Sequence, residues 1–333
     1  SFYGNREGKE RGLKMEYNVL ILSAGRRVEL VKCFQKAAKR LNIKSKVVAA
    51  DISDMAPAIY FADEHYLIPR IGKENYIQSI IDVCNKEDIK LIVPTIDTEL
   101  LSMAENKEMI ENATSAKVLI SDIEVIRYCR DKINTQRFFE ENGFKVPAML
   151  SDEDMDNGNV EFPVFIKPKD GSSSINAFKV NNLEELNFFR NYVKNPLVQE
   201  LMVGEEYTID VFLDFDSNII TMVPRRRLAT RSGEIAKGQI VKDQEIIADV
   251  TRLMKVLKPI GHITVQCMKT AKGIEYIEIN PRFGGGAPMT IMAGADSCEN
   301  LFRLLMGEKL GYNENYEENS LFLRFDDTIM LKS

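Results

Sequence analysis

The sequence predicts two structural classes in succession, an α/β unit over residues 17–121 and an α+β unit with largely antiparallel sheet after it. In the first third, short apolar runs alternate with helix-length amphipathic segments, the pattern of βαβ units around a parallel sheet. From residue 162 onward strand patterns succeed one another, interrupted by two helical stretches, as in α+β folds. The length agrees, since 333 residues is long for one core and fits two or three subdomains.

Taken in order, Tyr17–Ser23 is the first apolar run and Val28–Leu41 the first amphipathic helix. Strand Lys46–Ala50, helix Tyr76–Asn85, strand Leu91–Thr95, helix Thr98–Asn112 and strand Lys117–Ile120 complete a Rossmann-like unit. Helices Ile123–Arg130 and Ile133–Asn142 follow, stopped by Gly143 and Pro147, and Asp152–Asn159 reads as an acidic loop. The second unit contains strands Phe162–Pro168, Ala177–Val180, Leu197–Leu201, Tyr207–Asp214 and Asn218–Pro224, helices Leu183–Tyr192 and Glu245–Leu257, and a hairpin over 261–280. Residues 1–16 read as an N-terminal extension or tag remnant, and 311–333 as a C-terminal segment.

Bulk properties exclude several functions. A formal net charge of -6 gives no basic face for nucleic acid, and no apolar run approaches a membrane span. The five cysteines are odd in number and lack metal or redox spacing, so buried reduced thiols and a cytoplasmic setting are expected. Without a G-x-G-x-x-G after the first strand, dinucleotide binding is disfavoured. The two histidines, His65 and His262, sit within or beside apolar strands and read as structural.

Chemistry concentrates in the second unit. Glu278 and Asn280 close an alternating run, and in a strand such residues share one face about 7 Å apart. Gln266, across the hairpin, is a third oxygen donor, and oxygen donors suit Mg²⁺ (or Mn²⁺). The alternative is a half-solvated hairpin with an outer polar face. Pro281-Arg282 followed by Gly284, Gly285 and Gly286 suits close approach to an anion. Lys167 and Lys169 precede Gly171, Ser172 and Ser173, a loop able to aim N–H groups at phosphate or equally a solvated turn. The run from Arg225 to Arg231, containing Arg226 and Arg227, reads as a basic loop after a strand, able to hold charge on a phosphoryl group or a carboxylate. In the first unit, Arg26 and Arg27 follow the first strand, Asp51 ends the second, and Asp97 and Glu99 follow the Leu91–Thr95 strand at the same carboxyl edge. There Asp97 is read either as an amine ligand or as a helix cap.

The order and wording of these segments resemble the ATP-grasp superfamily, particularly its carbamoyl-phosphate-synthase-like members. The resemblance implies a Rossmann-like pre-ATP-grasp domain (17–121) before a two-lobed ATP-grasp domain (122–310), with a small lobe of about 130–202 and a large lobe of about 203–310. It implies ATP phosphate contacts from Lys132 and Lys167, a loop of Gly171, Ser172 and Ser173 folding over the triphosphate, adenine contacts around Glu200 and Met202, and ribose contact from Glu206. Gln266, Glu278 and Asn280 become the metal ligands, and Arg282, Arg226 and Arg231 the catalytic candidates. The expected activity is an ATP-dependent carboxylate–amine ligase forming a C–N bond, acting on small molecules, with a homodimer expected as an open alternative to a monomer. A carbamate- or carboxylate-phosphorylating subunit and a non-catalytic ATP-binding protein stand as alternatives; a single copy of the unit argues against a complete carbamoyl-phosphate synthase.

Overall fold

A computed structural model describes residues 15–170 and 175–332. The first unit is a parallel sheet of β1 (Asn18–Ile21), β2 (Val47–Asp51), β3 (Glu64–Leu67), β4 (Ile89–Val93) and β5 (Lys117–Val118), in spatial order β3-β2-β1-β4-β5. Helices α1 (Val28–Arg40), α2 (Tyr76–Lys86) and α3 (Asp97–Ala113) cover it, and β1, β2 and β4 are almost wholly buried, as parallel strands must be. Strand β3 was not anticipated, because three of its four residues are exposed on an edge and carry no apolar run. The chain leaves β1 toward one sheet edge and returns through β4 on its other side, so the topology reverses between β1 and β4.

Next come α4 (Ile123–Arg130), α5 (Lys132–Glu141) and α6 (Asp152–Asp156). The last corrects the expected loop at Asp152–Asn159: the Ser151 hydroxyl caps it by accepting from Asp154 N at 3.1 Å. A small antiparallel sheet of β6 (Val164–Pro168), β7 (Phe178–Val180) and β8 (Pro196–Glu200), carrying α7 (Leu183–Tyr192), forms its own core around Ile166, Leu186 and Val198.

The largest element is a six-stranded antiparallel sheet built from β9 (Gly204–Leu213), β10 (Ile219–Arg231) and β11 (Glu234–Ile240), then β12 (Gly261–Thr270) and β13 (Gly273–Asn280) beyond α8 (Gln244–Leu257), ending with α9 (Ala287–Met292), α10 (Ser297–Leu305) and β14 (Leu321–Leu323). Its strands alternate, with register shifts that include one between Gln266 and Cys267 in the β12–β13 pair. Ile209, Val211, Ile263, Val265 and Ile279 point to α8 and bury against Ile246, Val250 and Leu253. The opposite face collects the polar residues, with Thr208 aligned between Arg225 and Gln266, and Gln266 aligned with Glu278.

The basic run is no loop. Residues 225–231 continue β10 and pair with β11, because Tyr207, Thr208 and Ile209 of β9 offer a full hydrogen-bonding edge that extends the strand past Pro224. Strand periodicity then sends Arg225 and Arg227 to one face and Arg226 to the other.

Candidate functional site

The polar face of the large sheet meets the carboxyl edge of the parallel sheet across a cavity of about 450 Å³. Its floor carries Thr208, Arg225, Arg227, Gln266, Glu278 and Asn280; Arg27, Thr95 and Asp97 close the far end, and Lys132 and Arg130 border the near one. Lys132 is placed by the start of α5, where Asp131 caps the helix by accepting from Ile133 N at 2.8 Å and Asn134 N at 2.9 Å. Its Nζ donates to Pro168 O at 2.9 Å, tying α5 to the end of β6 beside Lys167.

Lys132, Lys167 and Glu278 lie within electrostatic reach of one another. Burial, helped by the neighbouring Lys132 and opposed by Glu278, pulls the Lys167 ammonium down to about 8, and burial also lowers Lys132. Two desolvated ammonium groups side by side favour a bound polyanion. Glu278 Oε1 accepts from Asn280 Nδ2 at 3.0 Å, and the Gln266 amide, oriented to satisfy both neighbours, donates to Glu278 Oε1 at 2.9 Å and accepts from Arg227 Nη1 at 2.6 Å. Among the described residues no group of three or more His, Cys, Asp or Glu side chains gathers to hold a metal. One carboxylate flanked by two amides is instead the donor set expected where Mg²⁺ takes few protein ligands and leaves the rest to water and phosphate oxygens, and turning either amide presents its oxygen. The residues fit that ion and not a structural zinc.

The arginines divide sharply. Arg225 is buried and gripped by Asp210, which accepts from its Nε at 2.6 Å and its Nη2 at 3.2 Å. Thr290 Oγ1 also donates to Asp210, and His262 Nε2 faces it at 3.2 Å while His262 Nδ1 meets Ser297 Oγ at 2.8 Å. His262 is thereby a satisfied core residue. Burial alone would raise the Asp210 carboxyl, but the Arg225 guanidinium and His262 hold it below the usual carboxylate range. Among the described residues Arg225 Nη1, Arg227 Nε and Arg282 Nε are buried without a partner, in side chains that line the cavity and bring positive charge to it. Arg226, by contrast, pairs with Glu205 at 3.2 Å and Gln239 at 2.6 Å on the far side of the sheet, and Arg231 is exposed and paired with Asp326 at 2.6 Å. Neither borders the cavity; Arg225 and Arg227 occupy the places foreseen for them. Reading residues 219–231 as one alternating strand, with Asp210 as a charge stranded inside the apolar run of β9, would have found this pair.

Glycine 286 is required by the same grip. A Cβ there would collide with Arg225 Nη1 and sit 2.8 Å from Cζ, and Arg225 cannot retreat because Asp210 holds it. Gly286→Ala is expected to lower the kcat/KM of ATP-dependent phosphate release by about 10²-fold through misplacement of Arg225, at a stability cost of about 1–3 kcal/mol; steady-state kinetics with a melting curve check both.

Other foreseen residues are dispersed around this centre. Glu200 ends β8 with its carboxylate accepting from Lys272 Nζ at 3.1 Å, Met202 is half-buried in the short linker to β9, and Glu206 pairs with Arg227 at 3.3 Å. Gly171, Ser172 and Ser173 lie outside the described residues. Behind Lys132 and Lys167 a slot lined by Gln199, Tyr276 and Ile277 encloses about 20 Å³, room for about one water rather than a purine. In the parallel unit, Asp51 Oδ2 accepts from Gly25 N at 2.9 Å and serves the turn after β1. The cap of α3 is Glu99, whose Oε1 accepts from Thr95 N at 2.7 Å and Ile96 N at 3.1 Å; Asp97 is left to accept from Arg282 Nη2 at 2.8 Å.

Comparison with known proteins agrees with this architecture. Residues 19–119 match the family described as PylC-like, N-terminal domain, and residues 129–286 match that described as ATP-grasp domain. A carbamoyl-phosphate synthase of Methanobrevibacter smithii is 25% identical over 167 residues, 49% of this chain and 44% of that protein, so the chain spans less than half of its length. D-alanine–D-alanine ligase B of Clostridium perfringens is 24% identical over 269 residues, 72% of this chain and 88% of the relative. The biotin carboxylase domain of the Hydrogenobacter thermophilus 2-oxoglutarate carboxylase, solved with MgADP and bicarbonate, superposes with a TM-score of 0.71 at 20% identity, covering 91% of this chain and 73% of that one. No described helix is long and apolar enough to cross a membrane.

Proposed function

Because the chain joins a PylC-like N-terminal domain to an ATP-grasp domain, we propose that it is an ATP-dependent carboxylate–amine ligase. The observation that carries this reading is the closeness of Lys132, Lys167 and Glu278, beside a cavity that Lys132 and Glu278 line together with Arg225, Arg227 and Arg282, each of which has a buried N–H with no partner among the described residues. Cations for a triphosphate stand next to donors for a carboxylate or a phosphoryl group in transfer.

In this reading Lys132 and Lys167 hold the phosphates, and Glu278 with the amide oxygens of Asn280 and Gln266 would hold Mg²⁺. Bound there, the ion would neutralise phosphate charge during transfer. The substrate carboxylate attacks the γ-phosphorus, ADP leaves, and an acyl phosphate forms beneath Arg225, Arg227 and Arg282. The amine nitrogen then attacks the acyl carbon, its surplus protons pass to solvent, and inorganic phosphate departs with the C–O bonding pair. If the base enters the slot beside Gln199 and Tyr276, which has room for about one water as it stands, the small lobe of β6, β7, β8 and α7 would have to move outward to admit it. The domain limits supporting this arrangement are 17–121, about 130–202 and about 203–310, and a homodimer is the oligomer we favour.

The test is phosphate release from ATP across a panel of carboxylates and amines, with the carboxylate oxygens labelled by ¹⁸O. Release that needs both partners and carries one label into phosphate supports the ligase; ATP binding without release under any pairing would overturn it.

The low Lys167 pKa makes nucleotide affinity pH-dependent. Its value is pulled down to about 8 and the phosphate contact needs the ammonium form, so affinity is expected to hold below pH 8 and to fall as pH rises through it, with a proton taken up on binding near pH 8. Lys167→Met should weaken ATP by roughly 10–100-fold and flatten that dependence. Calorimetry in buffers of different ionisation enthalpy checks it; an unchanged Kd would contradict the phosphate role.

A further inference from the structure

We infer that the tip of the β10–β11 hairpin is a flap over the cavity and that the segment after β14 is the clasp that fastens it, so that Arg324 and Asp326, themselves outside the site, control entry to it. The device governs access, whatever chemistry follows inside.

The hairpin turns at Ser232 and Gly233, with φ of 51° and 77°, the left-handed pair that a two-residue turn between Arg231 and Glu234 needs. Its pairing shifts register between Arg227 and Ala229 and again between Ala229 and Thr230, and such irregularities disrupt the ladder and bend the strand. Beyond these shifts the tip leans over the site. Gly233, Glu234 and Ile235 line the cavity, and Arg227 Nη2 reaches from the floor to donate to Gly233 O at 3.0 Å. Glu234 lies against Gly285, where an added Cβ would stand 3.3 Å from its Cδ, and its charge is felt by the buried Arg27 at the far end. The hairpin is thus jointed at its register shifts and closed at its tip.

The C-terminal segment arrives at the same tip from outside. It is anchored first, because Tyr316 Oη donates to Met222 O at 2.8 Å, Phe322 packs beside Val223 and Ile240, and β14 pairs with β11. Past that anchor, Arg324 N donates to Ala236 O at 2.9 Å, and Arg324 Nη1 donates to Glu234 Oε2 at 3.1 Å and to Ile235 O at 3.0 Å. Asp326 then accepts from Arg231 Nη1 at 2.6 Å and, through its other oxygen, from Arg26 Nη2 at 3.4 Å. Arg26 belongs to the loop after β1 and precedes Arg27, which lines the cavity. One carboxylate therefore ties the flap to the parallel unit. These pairs are exposed, with Arg26 at 84%, Arg231 at 75% and Asp326 at 58%. Exposed pairs add little to stability and are screened by salt, which suits a fastening that must release whenever a ligand enters.

The cavity carries its own reporter. Cys129 lines it and is half-buried, whereas Cys33, Cys84, Cys267 and Cys298 are buried. Burial also pushes the Cys129 thiol up, so its modification is slow until water reaches it. The test is the rate at which methyl methanethiosulfonate modifies Cys129 in the full chain, followed by mass spectrometry, with Cys129→Ser identifying the site and a melting curve for each variant. The double variant Arg324→Ala/Asp326→Ala is expected to be modified about three- to tenfold faster than wild type with its melting profile retained. Asp326→Arg, which sets like charges against Arg26 and Arg231, should also be faster, and adding Arg231→Asp to it should restore part of the protection. Raising NaCl from about 0.05 M to about 1 M should speed modification of wild type and leave the double alanine variant unchanged. Modification as slow in Arg324→Ala/Asp326→Ala and in Asp326→Arg as in wild type, or a faster rate that neither salt nor the added Arg231→Asp alters, would overturn the clasp. Phosphate release plays no part in this measurement, so its outcome and that of the ligase assay are read separately.

Discussion

Replacing Glu278 by Ala is expected to abolish metal-dependent phosphate release, with a loss of at least about 10²–10³-fold in kcat, while the protein still folds. The carboxylate ends β13 on the polar face of the large sheet, where Gln266 and Asn280 both donate to it. Its charge also raises the pKa values of Lys167 and, together with Asp170, of Lys132 against burial. Removing it therefore takes away the anionic ligand for the ion and, in the same change, makes both phosphate-binding lysines easier to deprotonate. Glu278→Gln should behave almost as badly, because the amide keeps the shape and loses the charge. The fold should tolerate either change, since the residue is only half-buried and its neighbours reach the cavity. Assaying phosphate release against Mg²⁺ concentration, with a melting curve alongside, decides the matter; full activity in the Ala variant would remove Glu278 from the ligand set.

Asp210→Asn is expected to be the most destabilising single substitution near the site, costing about 3–5 kcal/mol because it leaves the buried Arg225 guanidinium without its counter-charge. Three partners, Arg225, Thr290 and His262, converge on that carboxylate, and it has no access to water. Its acid dependence has a definite sign. Since the folded-state pKa is held below the ordinary value, the stabilising contribution is present above the unfolded pKa of about 3.9 and is lost as pH falls toward the folded value. The gap between wild type and Asp210→Asn should thus be full at neutral pH and shrink below about pH 4. A double variant, Asp210→Leu with Arg225→Met, should recover much of the stability while activity stays low, because the pair is held for where it places Arg225. Denaturant unfolding of wild type and the two variants tests this, and a single Asn variant within about 1 kcal/mol of wild type would contradict it.

The two-unit architecture was legible because periodicity changes along the chain. Buried parallel strands such as Val47–Asp51 read as unbroken apolar runs, and the hairpin over 261–280 shows alternation on both arms. The ATP-grasp relationship was legible for the same reason, its motifs lying at strand ends in a fixed order. What escaped were elements stabilised by distant partners. Strand β3 is an exposed edge, and β14 exists only because Leu321–Leu323 pair with β11. The arginine run was misread because its strand character comes from the edge of β9 and not from its own composition. Once extended as strand, it swaps Arg226 and Arg231 for Arg225 and Arg227 at the cavity. Arg27 and Asp97 were visible as residues at strand ends, but that they face one crevice depends on the strand order β3-β2-β1-β4-β5, which no local pattern encodes.

In the proposed ligase, ammonium groups from α5 and β6 would meet the Glu278 carboxylate of β13 around one magnesium-bound triphosphate. Calorimetric titration of ATP into the full chain, with Mg²⁺ and with EDTA, for wild type and for the Lys132→Met/Lys167→Met double variant, tests it most directly. One site per chain, weakened by EDTA and lost in the double variant while the melting profile is retained, is the predicted result. Undiminished ATP affinity in the double variant, or no ATP binding by the wild-type chain, would contradict it.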